Sequence, residues 1–288
     1  MTKTISVGYD GTQHSAEAVE WAAEEATTRS VTLRIVCCYN IAVAGAGGFG
    51  WPAASAVELQ LGVAEQNATR IAALIAGAHR GLDVETAVSP GPADMVLADA
   101  LGPDDLIVVG AGRHEGLAAF WLGSTARRLV RHSPCPVVVV RGAATRGRPD
   151  RVVVGIDGSS TSVAALDWAG DEADRHQVEL VVVHAWSYPY SATAAGASQA
   201  HDLLKVDAAC VLDRAVEHAR ERFGCTVSGC LVEDGSVSAL LDTVRDGDLL
   251  VLGSRGHQAL VAGLLGSTVN AVLDRAQTPV VVVRDTNV

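Results

Sequence analysis

Near its end the chain reads GSRGHQALVAGLLGST, Gly253 to Thr268. Glycines in such a loop let backbone N–H groups approach an anion without interference from Cβ atoms. Ser267 or Thr268 can cap a helix opening after Gly266, whose free N–H groups and dipole favour phosphate. The loop Gly253, Ser254, Arg255 and Gly256 and this helix start could therefore clasp a chain of phosphates from two sides. The plainer alternative is a Gly-rich turn followed by an ordinary capped helix. An earlier stretch, GAGRHEGLAAFWLGST, keeps the frame with Gly110, Gly112, Gly123, Ser124 and Thr125, but has Arg113 where the later one has Gly256. A Cβ there closes the backbone approach. Alternatively, Gly112 relaxes the turn and the guanidinium meets a phosphate, giving a functional but altered site.

The second element is VGYDG and VGIDG, where an apolar run ends in Asp10 and Asp157. A carboxylate accepts hydrogen bonds from a sugar or base and repels phosphate, so it suits the nucleoside end of a ligand. The alternative is an Asp that caps the following helix, with Thr12, Ser159 and Ser160 supplying further caps. GAGGFG (Gly45 to Gly50) matches a dinucleotide fingerprint letter for letter, but Trp51-Pro52 follows it instead of a helix, so it reads as a Gly/Ala loop. No GxxxxGK[ST] phosphate loop is present. His114 and His257 follow the two Gly loops and read as solvated loop residues in preference to phosphate ligands. The 6 cysteines form no CxxC pair or regular framework, so neither a disulfide nor a metal site is expected.

These motifs need a frame, and the sequence repeats one. ISVGYDGTQHSAEAVEWAAEEA aligns with VVVGIDGSSTSVAALDWAGDEA, LRIVCCY with LVVVHAW, DDLIVVGAG with GDLLVLGSR, and SPCPVVVVR with AQTPVVVVR. The second copy predicts strand Val152–Ile156, a helix near Ser162–Arg175, strand Glu179–Ala185 and a long helix near Leu203–Arg222. Strand Thr226–Val232, a helix from Val237, strand Leu249–Leu252, a helix near Ser267–Arg275 and strand Val280–Val283 follow. Trp168, with Ala164, Ala165 and Ala169, gives the first helix an apolar face. Alternation of this kind means an α/β chain of two tandem domains, each a five-stranded parallel open sheet with helices on both faces. The expected domains are residues 1–141 and 151–288, joined by a linker at 142–150 with the sequence GAATRGRPD. Ligands of such sheets sit at the carboxyl ends of the strands.

At 49% hydrophobic and 4% aromatic, the Val-, Ala- and Leu-rich composition suits buried parallel strands. A net charge of −11 argues against nucleic acid or anionic lipid as partner. The apolar runs are too short to span a membrane, and the first residues lack the pattern of a signal peptide, so the expected location is the cytoplasm.

The stretch from Gly253 to Ser267 satisfies the pattern G-x2-G-x9-G-[ST], and with VGIDGS, VVVHAW and TPVVVV it resembles the ATP-binding members of the universal stress protein family. The resemblance covers essentially all of both copies, and the tandem arrangement is similar to two-domain members in mycobacteria and related actinobacteria. It implies a Rossmann-like, adenine nucleotide alpha hydrolase-like fold binding one ATP per domain, with Mg2+ as a companion on the phosphates. Asp157 and the backbone around Ala185 would hold the adenosine, with Gly155 in the turn beneath. Gly253, Gly256, Gly266, Ser267 and Thr268 would hold ribose and phosphates. The matching positions of the first copy are Gly8, Asp10, Cys38, Gly110, Gly123, Ser124 and Thr125. In the family, a strand placed like Val137–Val140 or Val280–Val283 joins domains or subunits, which implies an internal pseudo-dimer and allows a homodimer.

No catalytic set emerges from the residues: neither phosphate loop contains a Lys, and no positioned base for an attacking water is evident. The leading expectation is an ATP-binding stress or regulatory protein whose output is conformational. The alternatives are a weak ATPase or nucleotide-transferring enzyme, and a scaffold that binds no nucleotide.

Overall fold

The computed structural model describes residues 3–39, 54–99, 101–112, 122–141, 148–188, 197–256 and 265–284. Arg113, His114, His257 and the GAGGFG segment lie outside the described residues. The chain divides into two compact units, Met1–Arg148 and Pro149–Val288.

In the first unit, β1 (Thr4–Gly8), α1 (Gln13–Arg29), β2 (Thr32–Tyr39), α2 (Ala54–Ala78) and β3 (Val84–Pro90) are followed by α3 (Ala93–Asp99), β4 (Leu106–Gly110), α4 (Ser124–His132) and β5 (Val137–Val140). The second unit repeats this as β6 (Arg151–Ile156), α5 (Ser160–His176), β7 (Glu179–Trp186), α6 (Ala197–Arg222) and β8 (Val227–Glu233). It continues with α7 (Ser236–Thr243), β9 (Leu249–Gly253), α8 (Ser267–Arg275) and β10 (Val280–Val283). The long helix α6 begins at Ala197, earlier than the apolar spacing from Leu203 indicates, and Leu203 itself is exposed.

Within each unit the five strands are parallel, in the orders β3-β2-β1-β4-β5 and β8-β7-β6-β9-β10. The Val and Leu runs that identify the strands are wholly buried in β5 and β10, and along β9 as far as Leu252. Helices α5 and α6 contact one another, as do α7 and α8, so with right-handed crossovers the pairs cover opposite faces. The chain winds outward from β6 to β8, then returns to β9 on the other flank of β6. The strands stay paired there while the connections leaving β6 and β9 diverge, which marks the crevice where sheets of this kind hold ligands; β1 and β4 do the same in the first unit.

The apolar face of α5 is composed of Ala165, Leu166, Ala169, Gly170 and Ala173, all buried. Trp168 lies off this stripe and is only half-buried, whereas its counterpart Trp21 is 1% exposed. At the amino edge of the second sheet, Arg151 donates from Nε to Asp248 Oδ1 at 3.1 Å and from Nη2 to Oδ2 at 2.5 Å. This neutralises a carboxylate that is 2% exposed and is part of the scaffold, at the end of the sheet opposite the crevice.

A glycine in mid-helix ordinarily costs roughly 1 kcal/mol relative to Ala. At Gly170 the sign is reversed, because a Cβ would land on the Phe223 ring where α6 crosses α5. Gly170→Ala should lose about 1–3 kcal/mol, measured as a lower urea midpoint at unchanged slope.

Candidate functional site

The site grows from the turn after the first strand of each unit. In the second, Gly158 takes φ 81° and reverses the chain, and Ser159 caps α5 by accepting from Ser162 N at 3.2 Å. Asp157 Oδ1 accepts from Ser159 N at 3.0 Å and Ser159 Oγ at 2.6 Å. Thus Asp157 does not cap the helix; it holds the residue that does. Ser160 is the first helical residue, not a cap. In the first unit Gly11 takes φ 86°, Thr12 is the cap, and Asp10 Oδ1 accepts from Thr12 N at 3.0 Å and from Thr12 Oγ1 and Ser15 Oγ, each at 2.6 Å. Desolvation works to raise the Asp10 pKa, but the hydrogen bonds from Ser15 and Thr12 outweigh it and hold the carboxyl below its usual value.

The adjoining strand delivers the Gly loop. Gly155 pairs with Leu252, which brings Asp157 and the loop to neighbouring strand ends. Neither Gly253 nor Gly256 has the positive φ that a tight glycine turn would need. Each is closely approached instead, Gly253 by backbone and Gly256 by a side chain. A Cβ on Gly253 would lie 2.7 Å from Thr161 O, where the first turn of α5 presses on the end of β9. Gly110 meets His14 O in the same way. A Cβ on Gly256 would lie 2.5 Å from Asp157 Oδ2, so this glycine keeps the loop against the carboxylate. Gly155 is likewise not in a turn: it lies within β6, where a Cβ would reach Leu252 and Leu240 at 2.8 and 2.9 Å. Gly8 ends β1 against Leu97.

The two arms of the motif do come together. Ser254 N donates to Val283 O at 2.8 Å, and Gly266 N donates to Ser254 O at 3.1 Å, which ties the loop to the start of α8. In the first unit a Cβ on Gly112 would lie 3.5 Å from Gly123 Cα, the same closure. The N-caps of α8 and α4 are Gly266 and Gly123, and no side chain caps either helix. Ser267 and Thr268, like Ser124 and Thr125, occupy the first helical positions instead of the cap. The opening N–H groups are therefore left without a side-chain cap among the described residues. Two more polar atoms at this junction lack a partner among the described residues: Ser254 Oγ, on a residue 4% exposed, and Asn270 Oδ1 in the first turn of α8. Orphaned buried polar atoms of this kind are uncommon in folded proteins. Burial and the neighbouring Arg255 charge both lower the Arg284 pKa, so two cations stand at the same sheet edge.

Cys38 and Ala185 are half-buried in the ladders of β2 and β7, paired with Ser89 and Val232. Burial, with Cys38 and Asp10 adding to it, pushes Cys37 up to about 11, and burial and Asp94 raise Cys38. Both thiols stay protonated at neutral pH and are poor nucleophiles. Two residues at the crevice carry no motif and escape a reading of the sequence. Thr161 Oγ1 donates to Arg255 O, and Asn67 of α2 stands beside Gly11 where α6 offers Val211 to Gly158. The one available signal was the contrast between the repeats, His14 against Thr161.

Two outcomes follow from this geometry. Gly253→Ala and Gly110→Ala should each lose about 1–3 kcal/mol of stability, seen by denaturant titration without ligand, because backbone is what the added Cβ meets. A depressed folded pKa at Asp10 gives stability that is full above the unfolded value, about 4, and fades as pH falls through the folded value. The stability gap between wild type and Asp10→Asn should therefore shrink on acidification; a gap independent of pH would contradict the assigned hydrogen bonds.

The family model described as the universal stress protein family matches residues 1–141 and 149–284. Universal stress protein Rv2005c of Mycobacterium tuberculosis is 32% identical over 292 residues, covering 97% of this chain and 96% of its own. A universal stress protein of Mycolicibacterium smegmatis is 31% identical over 290 residues, covering 97% and 96%. Among solved structures, a universal stress protein from Archaeoglobus fulgidus superposes with a TM-score of 0.70 at 18% identity, covering 98% of each chain, which speaks for the fold alone. With both repeats matched by one family model and relatives above 30% identity along nearly the whole chain, the protein belongs to the universal stress protein family.

Proposed function

We propose that this universal stress protein binds ATP in the crevice of its second unit and serves a stress response in the cytoplasm through nucleotide-dependent conformation or association. The observation that carries this reading is the closure of the motif. The Gly253–Gly256 loop and the start of α8 meet at one strand end, where α8 lacks a side-chain cap and Ser254 Oγ lacks a partner among the described residues. That donor set fits phosphate: backbone N–H groups and a hydroxyl surround it, with Arg255 and Arg284 nearby. Asp157 suits the ribose, since one carboxylate accepts several hydrogen bonds and Oδ1 already takes two. Ala185 and Gly155 would line the adenosine side. Mg2+ would accompany the phosphates and is assigned no protein ligand.

The first unit shares the closure at Gly110, Gly112 and Gly123, and we assign it an altered site in which Arg113 replaces the second glycine. A ligand that binds only the folded state stabilises it in proportion to RT ln(1 + [L]/Kd). Nucleotide occupancy would thereby set the stability of each unit.

Mass spectrometry of the small molecules released when freshly purified protein is denatured tests this. About two ATP per chain is expected if both sites fill, and about one if only the second does. Protein that releases none, and whose melting temperature ATP does not raise, would overturn the reading. Gly256→Glu should abolish binding at the second site, because its carboxylate would meet Asp157 and the phosphates together; undiminished binding would refute the loop assignment.

A further inference from the structure

The two units share a frame but differ in what the first helix offers to the Gly loop. In the second unit Thr161, in the first turn of α5 and 6% exposed, donates from Oγ1 to Arg255 O. Ser159 Oγ is 3.1 Å from the same hydroxyl, but the Ser159 proton is committed to Asp157 Oδ1. Ser159 Oγ can therefore only accept from Thr161, and of the two acceptors within reach Arg255 O is the closer and takes the proton. In the first unit the equivalent residue is His14, whose Nδ1 stands 3.5 Å from Glu17 Oε2 on its own helix.

A peptide group is planar and trans, so holding its carbonyl oxygen on one side aims its N–H the opposite way. Fixing Arg255 O against α5 points the N–H of Gly256 away from α5. The helix start lies close to this N–H: a Cβ on Gly266 would be 3.8 Å from Gly256 N. Glycine lets this peptide flip at little cost, and a flip would turn a carbonyl oxygen toward the place where phosphate is to bind. The hydroxyl is present in the unit whose loop has Gly256, and absent from the unit with Arg113 in its place.

Resting on the nucleotide reading above, we propose that Thr161 is a positioning residue of the second site: it latches the 255–256 peptide so that the Gly256 N–H and the start of α8 converge on one phosphate group. The latch acts on the phosphate end of the ligand and is indifferent to the nucleoside.

The test is calorimetric titration of the full chain with ATP and, separately, with adenosine, taking as second-site binding the part that Gly256→Glu removes for ATP and Asp157→Ala removes for adenosine. Thr161→Val, close to isosteric, should weaken ATP about tenfold, as expected when one hydrogen bond is lost and an acceptor is left unpaired, and leave adenosine unchanged. Thr161→Ser, which keeps the hydroxyl, should bind ATP like wild type. Equal weakening of ATP and adenosine by Thr161→Val would mean a merely structural role and would overturn the latch, as would unaltered ATP binding or a Thr161→Ser variant as weak as Thr161→Val. Wild-type protein that binds neither ATP nor adenosine would sink the nucleotide reading and the latch together, whereas normal wild-type binding with no Thr161 effect removes the latch alone.

Discussion

The end of the fourth strand of each unit presses against the first turn of the first helix with no room for a Cβ between them. Gly253 meets the Thr161 carbonyl and Gly110 the His14 carbonyl. This contact crosses the point where the sheet reverses its winding, so it fixes the strand end relative to the helix whose cap is held by Asp157 or Asp10. The backbone leaving the strand then has little choice of direction. It must pass the carboxylate, and in the second unit Gly256 lets it do so closely. The backbone contact at Gly253, with the Ser254–Val283 and Gly266–Ser254 hydrogen bonds, brings the loop, the carboxylate and the start of α8 together.

This small region holds charges of both signs. The carboxylate of Asp157 is engaged by Ser159 at the turn, while the helix start and the Arg255 and Arg284 cations lie toward the loop and β10. An anion would be drawn to one end and a hydroxyl donor to the other, the polarity of a nucleotide. The neutral thiols of buried Cys37 and half-buried Cys38 and the Arg151–Asp248 pair at the far edge do not compete for that role.

The repeats keep one scaffold while the residues around the Gly loop differ. Strand order, cap geometry and the first motif glycine are shared, because each answers a packing demand that both units face. Differences fall beside the loop and the turn: Thr161 stands where the first unit has His14, Val211 where it has Asn67, and in sequence Gly256 is matched by Arg113. A duplicated frame leaves such positions free to diverge without loss of the fold.

Strand and helix periodicity, the duplicated blocks and the Gly loop were legible in the sequence, because buried parallel strands must be runs of Val and Leu, and because glycine marks places where a side chain cannot fit. The order of the elements followed directly, and nearly every boundary fell within a few residues. What the glycines were for could not be read. Gly253 and Gly256 looked like turn residues open to an anion, yet one is pressed by Thr161 backbone and the other by Asp157, groups remote in sequence. The same limit hid Thr161 and the half-burial of Trp168. Local pattern determines which residues can form an element; which atoms stand opposite each other across the strand ends is decided only when the whole sheet is wound.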